Sequence, residues 1–309
     1  MRYDKPVRRI HPTVQEALRE GRAVVALEST VITHGLPRPQ NLALAETLER
    51  TVRDAGAVPA TIGILGGEVV IGLSQEELGH LAAAEVDKVH KASLWNLPDL
   101  IAKKRDGGTT VAATLHLAAQ VGIKVFATGG IGGVHFDPFD ESADLTALSR
   151  SPLIVVSAGA KSVLDQKATL ERLETLGVPV VGYRTDRLAG FHVPETAHRV
   201  PARCDTPSEI AKTFQAARAL GLPGALLVAK PVSQGLGADE VERWLGTALA
   251  EAKEQNFTGK DLTPFLLARF AALSDGRAMD VNLRLLQENA RLGAEVALEL
   301  ARPLTPQSR

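Results

Sequence analysis

Six short runs rich in Val, Ile, Leu and Ala, at 23–28, 60–65, 124–128, 153–157, 178–183 and 225–229, alternate with longer stretches of helical period. Runs this brief and this apolar read as strands of a buried sheet. Strands that alternate with helices build a layered α/β fold, and few other architectures accept the pattern. The helix starts between them are legible. Ser74 with Glu77, Ser162 with Asp165 and Thr206 with Glu209 have the spacing of capping boxes, and Pro207 follows Thr206 as a first-turn proline should.

From about residue 261 to residue 302 the pattern is wholly helical, with Leu262, Phe265, Leu266 and Phe270, then Leu283, Leu286 and Ala290, at helical spacing. This helical end is expected to pack on the sheet. No Ser- or Pro-rich linker, low-complexity tract or fixed-period repeat interrupts the chain, so residues 1–309 are expected to form one domain with frayed ends.

Charge narrows the function. Thirty-five Lys and Arg oppose 36 Asp and Glu, giving a net charge of −1 and no general attraction to nucleic acid or anionic lipid. Aromatic residues are only 4%, too few for the stacking platforms of single-strand binders. Cys204 is the sole cysteine, which rules out an intrachain disulfide and a cysteine-based zinc site and fits a reducing compartment. The opening MRYDKPVRRI lacks the apolar core of a signal peptide, and no apolar run reaches the length of a membrane span. A cytoplasmic location is the expectation.

Candidate chemistry gathers where glycines adjoin predicted strands. In GGTTVAAT, 107–114, the glycines lead into a helix whose first N–H groups, with Thr109 and Thr110, suit a phosphate; a plain turn and cap is the alternative. TGGIGGVH, 128–135, leaves the carboxyl end of a strand, the side where open α/β sheets place ligands, so Thr128 and His135 are candidates to face a substrate. Asp137, Asp140, Glu141 and Asp144 follow. Hard oxygen donors suit Mg2+ or Mn2+, and Asp140 and Asp144 would share a face if the chain were helical there; a solvated helix start is the competing reading.

Lys161 follows the apolar strand LIVVSA and stands just before Ser162, the expected cap of a helix. Partial burial and the positive helix end would both favour the free amine, a nucleophile able to form a Schiff base; a snorkelling surface lysine is the bland alternative. Glu28 ends the strand AVVALE at the carboxyl edge of the sheet. Held between apolar walls it would serve as a general acid, with His34 at hand to assist, or it merely caps a loop.

Together ALESTVITHGLPRPQN at 26–41, GGTTVAAT at 107–114, FATGGIGGVH at 126–135, SAD at 142–144, AGAKSVLD at 158–165 and TPFLLARFAAL at 263–273 resemble the pseudouridine-5′-phosphate glycosidase family, in order and in register. The resemblance implies a three-layer α/β/α fold with a mixed sheet, a homotrimer and a bound Mn2+. The activity it implies is reversible C–C glycosidic cleavage of pseudouridine 5′-phosphate to uracil and ribose 5-phosphate. By motif the covalent lysine falls on Lys161, the general acid on Glu28, the metal-linked aspartate on Asp140 and the substrate stretch on Ser142, Ala143 and Asp144. Asp144 is the candidate for proton transfer nearer the base. Lys91, aligned through KASLWNLP, and Val111 are implied substrate contacts, with Thr110, Thr128, His135 and Asn282 beside them.

The chemistry explains such a set. A C–C bond to uracil offers no heteroatom leaving group, so ordinary two-carboxylate hydrolysis has nothing to protonate, whereas an imine at C1′ draws the electrons needed. The chain departs from the family pattern at Lys230, Pro231, Val232 and Ser233, where an Asn-Pro-Ile-Pro-like stretch is usual, and at Arg277 and Ala278, in place of a Gly-Lys-Ser-like turn. Two rivals stand beside this reading: a Schiff-base lyase or aldolase on another pentose phosphate or C-nucleotide, and a non-catalytic sugar-phosphate-binding protein.

Overall fold

The computed structural model describes residues 7–136, 140–257 and 262–302. The ends expected to fray, and Asp137 of the acidic cluster, lie outside these residues. The described chain carries eleven strands, mixed but mostly parallel and flanked by helices, the α/β class that the alternation predicts. It divides into two compact units, the first from Met1–Ala127, Thr206–Leu222 and Ala290–Arg309, the second from Thr128–Asp205 and Pro223–Asn289.

The first unit opens with β1 (Arg8–Ile10), α1 (Pro12–Arg19), β2 (Val24–Leu27), α2 (Gln40–Asp54), β3 (Val58–Leu65) and β4 (Glu68–Ile71). It continues with α3 (Gln75–Ala83), β5 (Val89–Ala92), α4 (Leu97–Ala102), β6 (Asp106–Thr109), α5 (Val111–Gln120) and β7 (Val125–Ala127). Strand order is β1-β4-β3-β2-β7, with β6 antiparallel to the far end of β3 and β5 parallel to β6. All four residues of β2 are buried, as a strand covered on both faces must be. Its register sets Leu27 beside Thr61 of β3 and Ala127 of β7. Gly56 and Gly122, at φ of +93° and +81°, take the left-handed conformation just past α2 and α5 and turn the chain back toward a strand.

In the second unit come α6 (Ala143–Arg150), β8 (Ile154–Ser157), α7 (Gln166–Thr175), β9 (Val180–Tyr183) and β10 (Ala202–Cys204). After α8 (Pro207–Ala219), which belongs to the first unit, follow β11 (Leu226–Ala229), α9 (Ala238–Glu254), α10 (Leu262–Leu273) and α11 (Arg277–Ala301). The order β8-β11-β9-β10 is parallel throughout, and Ser157, Ala229 and Gly182 stand in line at the carboxyl ends. The long helix α11 contributes Arg277–Asn289 here and its last turns to the first unit, where Gly293 packs against Ala127 and Val25.

All six strand runs read from the sequence are strands. Five others, β1, β4, β5, β6 and β10, lie outside those runs; β4 is apolar through Val69, Val70 and Ile71, whereas the other four carry little apolar pattern. Ser74 and Glu77 form the full capping box of α3, and Thr206 accepts from the Glu209 N–H with Pro207 in the first turn of α8. The third expected cap is displaced. Helix α7 begins at Gln166 and is capped by Asp165, not by Ser162. No helix among the described residues is long and apolar enough to cross a membrane.

Candidate functional site

In the first unit the parallel register delivers Glu28, partly buried, to the carboxyl end of β2. The chain then turns through Val31–Gly35, a wide π-type turn, which packs on β6. At Gly108 a Cβ would lie 2.2 Å from Thr33 Oγ1 and 3.0 Å from Ser29 O, so only glycine lets the turn and the strand meet. The two glycines of GGTT are therefore strand residues, not a loop. Lys91 on β5 stands opposite Gly108, and the Thr110 N–H donates to Ala92 O at 2.9 Å. Thr110 Oγ1 caps α5 by accepting from Ala113 N, and Val111 is the first residue of that helix. Thr110 is thus the cap that the sequence suggested, with its oxygen turned back on the helix. His34 Nδ1 lies 2.7 Å from Thr33 Oγ1; desolvation, and next the charge of Lys91, hold its imidazole below the ordinary histidine range.

In the second unit three segments converge on the 128–135 loop. Lys161 N–H donates to Ile131 O at 3.1 Å, while Ile131 N–H donates to Gly159 O at 3.0 Å. Gly132 N–H donates to Asp144 Oδ2 at 2.7 Å, and a Cβ on Gly132 would fall 2.2 Å from Ser142 Oγ. Ser142 N–H in turn donates to Gly133 O, and Asp165 N–H to Val134 O. Gly132 and Gly133 are enclosed by the Ser142, Asp144 and Thr169 side chains, while Gly129 and Gly130 meet Leu285, Leu286 and Phe191. The structure therefore brings together Lys161, Ser142, Ala143 and Asp144 around one loop, with Thr128 at its start and His135 at its end.

Two sequence expectations fail locally. Lys161 is not at a helix start: Ser162 Oγ donates to Gly190 O at 3.1 Å and accepts from His192 N–H, so the chain makes a turn and α7 begins only at Gln166. The helix-end contribution to the lysine falls away. Asp140 and Asp144 do not share a helix face. Ser142 caps α6, so Asp140 lies before the helix, where its carbonyl accepts from His135 N–H at 2.9 Å.

Asp140 is a hard carboxylate donor next to the 135 turn, but no group of three His, Cys, Asp or Glu side chains comes together among the described residues. Glu141 is occupied by Arg172 at 2.9 Å. Such a donor set fits a divalent ion that keeps most of its ligands as water, not one caged by protein.

The departures from the family pattern are internally balanced. Lys230, one residue past β11, pairs with Glu288 at 2.5 Å, and Ser233 N–H and Oγ also donate to that carboxylate. Burial works to raise the Glu288 pKa, but these donors outweigh it and hold the group below the usual carboxylate range. Arg277 pairs with Glu240 at 2.9 Å and lies 5.0 Å from the Trp244 ring, at the exposed start of α11. Neither change leaves an uncompensated charge.

Sequence reasoning missed Asn289. It is 1% exposed, and its amide donates to Thr128 O at 2.8 Å; it lies seven residues after Asn282 on one helix face, a polar position inside an apolar stripe. It also missed the 188–193 loop, in which Phe191 adopts φ +65° and covers Gly130. Nothing in the local pattern marks that loop.

The family model described as indigoidine synthase A-like protein matches residues 13–299. A curated pseudouridine-5′-phosphate glycosidase of Thermus thermophilus is 59% identical over 92% of this chain and 99% of its own length. One from Saccharopolyspora erythraea is 51% identical over 94% and 97%. Among solved structures, the prealnumycin C-glycosynthase AlnA in complex with ribulose 5-phosphate superposes with a TM-score of 0.89 at 37% identity, covering 96% of this chain and 98% of that one. An indigoidine synthase A-like protein of Thermotoga maritima gives 0.87 at 36%, covering 98% and 100%. Matched by the family model over residues 13–299 and by these relatives along nearly its whole length, the chain belongs to the pseudouridine-5′-phosphate glycosidase, or indigoidine synthase A-like, family.

Proposed function

We propose that this chain is a pseudouridine-5′-phosphate glycosidase that works through a Schiff base on Lys161. The observation that carries the reading is the 131–132 peptide. Ile131 O holds the Lys161 backbone and Gly132 N–H holds the Asp144 carboxylate, so one short loop sets the candidate nucleophile and the candidate proton donor together.

The amine of Lys161 bonds to C1′ as the C1′–O4′ bond breaks; Glu28 gives its proton to O4′, and its carboxylate then takes one from the attacking nitrogen, which regains its lone pair. The C1′–C5 bond then breaks: the lysine nitrogen lone pair forms the C=N bond, while C5 of uracil keeps the bonding pair and takes a proton from Asp144. Water adds to the imine carbon and frees ribose 5-phosphate and the amine. Lys91 and the Thr110–Val111 helix start are the proposed holders of substrate oxygens, with Ser142, Ala143, Thr128, His135 and Asn282 completing the contacts. A divalent ion, Mn2+ by family resemblance, would take Asp140 as its protein carboxylate and add positive charge for substrate oxygens. A cytoplasmic homotrimer is the assembly that the same resemblance supports.

The second reading is a C-glycosynthase acting on another carbon acceptor, favoured by the likeness to the prealnumycin enzyme. The glycosidase relatives match at 59% and 51% against its 37%, which ranks cleavage of pseudouridine 5′-phosphate first.

The test mixes protein, Mn2+ and pseudouridine 5′-phosphate and follows uracil by chromatography, with a parallel ribose 5-phosphate sample reduced by borohydride and peptide-mapped. Uracil release and an adduct on Lys161 are expected, and Lys161→Ala should lose both. An adduct without uracil would move the reading to another substrate; folded protein that gives neither would leave the sugar-phosphate-binding alternative.

A further inference from the structure

Strand β3 is shared by two neighbours in succession. Its first half runs beside β2 as far as Thr61, and its second half beside β6 from Gly63. Between them stands Ile62, whose carbonyl falls where β2 has left the sheet and β6 has not yet joined it. Two hydroxyls fill the gap: Ser29 Oγ donates to Ile62 O at 2.6 Å and Thr109 Oγ1 donates to it at 2.7 Å. Thr109 N–H donates to Ser29 Oγ at 2.9 Å, and Thr114 Oγ1 donates to Thr109 Oγ1 at 2.9 Å. Ser29, Thr109 and Thr114 are all completely buried.

Each of these residues adjoins the proposed machinery. Ser29 follows Glu28 directly, Thr109 precedes the Thr110 cap, and Thr114 lies on the first turn of α5. A second tie, from Thr30 Oγ1 to Gly108 O at 3.1 Å, joins the same two segments. Buried hydroxyls with every bond made are rigid, since any displacement strands a polar group away from water. A serine or threonine with no such duty would more cheaply be alanine or valine at a strand junction this dry.

We infer that Ser29 and Thr109 are positioning residues, a hydroxyl staple that holds the Glu28 backbone and the Thr110–Val111 helix start in one fixed relation. The inference rests on the glycosidase reading above, in which Glu28 is the acid. The staple touches no substrate and acts through Glu28 and the helix start.

The experiment measures kcat and KM for uracil release in wild type, Thr109→Val, Thr109→Ser, Ser29→Ala and Glu28→Gln, and in Glu28→Gln combined with Thr109→Val. Thr109→Val should lower kcat about 10- to 100-fold, the scale expected for a misplaced catalytic group, with KM changed much less. Thr109→Ser, which keeps the hydroxyl, should restore most of the rate. In the Glu28→Gln background Thr109→Val should cost several-fold less in kcat than it does in wild type, because the part of its effect that passes through Glu28 is already lost and only the helix start is left to position. Should Thr109→Val not fold, Ser29→Ala carries the same comparison. Losses that multiply across the two sites, or a Thr109→Val enzyme with unchanged kcat, would overturn the staple while leaving the glycosidase reading intact. A folded wild type that releases no uracil overturns both.

Discussion

The Asn289 side-chain amide donates to Thr128 O at 2.8 Å and to Gly129 O at 3.3 Å, joining α11 to a loop that begins 161 positions earlier in sequence. The loop is the one that carries Ile131 and Gly132, so its first peptide is set by a helix and its middle by Lys161 and Asp144. Among the described residues no donor reaches the buried Asn289 Oδ1. The Asn289 donor is committed to the two carbonyls that open the loop.

Asn289→Leu keeps the volume and removes the donor. It is expected to destabilise the protein by about 1–3 kcal/mol, the cost of leaving buried carbonyls short of a partner, read as a lower urea midpoint with unchanged slope. Asn289→Asp should be worse, since it buries a charge. An unchanged midpoint in both would show that the loop finds its place without the helix.

The Lys230–Glu288 pair has side chains only 15% and 23% exposed, so the charges are partly desolvated and neither is readily left alone. Lys230→Met and Glu288→Leu should each cost about 1–3 kcal/mol. The double variant Lys230→Met, Glu288→Leu should lose less than their sum, because it removes both charges at once. A double-mutant cycle from denaturant unfolding checks this. Strict additivity would mean that the pair is close but not coupled.

His192 lies against Phe270, ring centroids 5.0 Å apart and nearly parallel, and edge-on to Phe191 at 4.7 Å. Burial pushes its pKa down to about 4. The folded state therefore resists a proton that the unfolded chain accepts near its ordinary value of about 6.5. Stability is full above that value and is lost as pH falls toward 4, by roughly 3 kcal/mol in all. His192→Phe should flatten this part of the profile, so that wild type loses more stability than the variant between pH 7 and pH 4.5. Parallel profiles in urea unfolding would place the titration elsewhere.

Much of this was legible because the sheet is buried. Strands such as β2 and β8 are buried along their whole length, and the glycine-bordered motifs at their carboxyl ends are the ones that now surround Glu28 and Lys161. Strand β6 was not legible: Asp106, Gly107 and Gly108 have no strand propensity, and the reason for glycine is the Thr33 hydroxyl from a turn more than seventy residues away. The start of α7 was misread for a similar cause. Ser162 and Asp165 are equally good caps by type, and a tertiary bond to Gly190 O decides between them. Asn289 and Ser29 escaped notice because polar residues are common in sequence, and only burial reveals which are committed to a bond; Thr109, expected to face a phosphate, is instead a completely buried strand residue whose hydroxyl is spent on Ile62 O.

Gly130 offers a direct probe of how tightly the lysine loop is held. A Cβ there would stand 2.6 Å from Phe191 Cδ2 and 3.1 Å from Gly159 O. The Phe191 ring has little room to yield, since it meets His192 edge-on and its backbone, at φ +65°, donates to Ala158 O at 2.8 Å. Gly130→Ala should therefore overpack the loop, costing about 1–3 kcal/mol. It should also lower borohydride trapping of ribose 5-phosphate, because Ile131, the next residue, holds Lys161. Phe191→Leu in the same chain removes the ring edge and should recover part of both losses. Full trapping in Gly130→Ala alone would show that the amine finds its place independently of this loop.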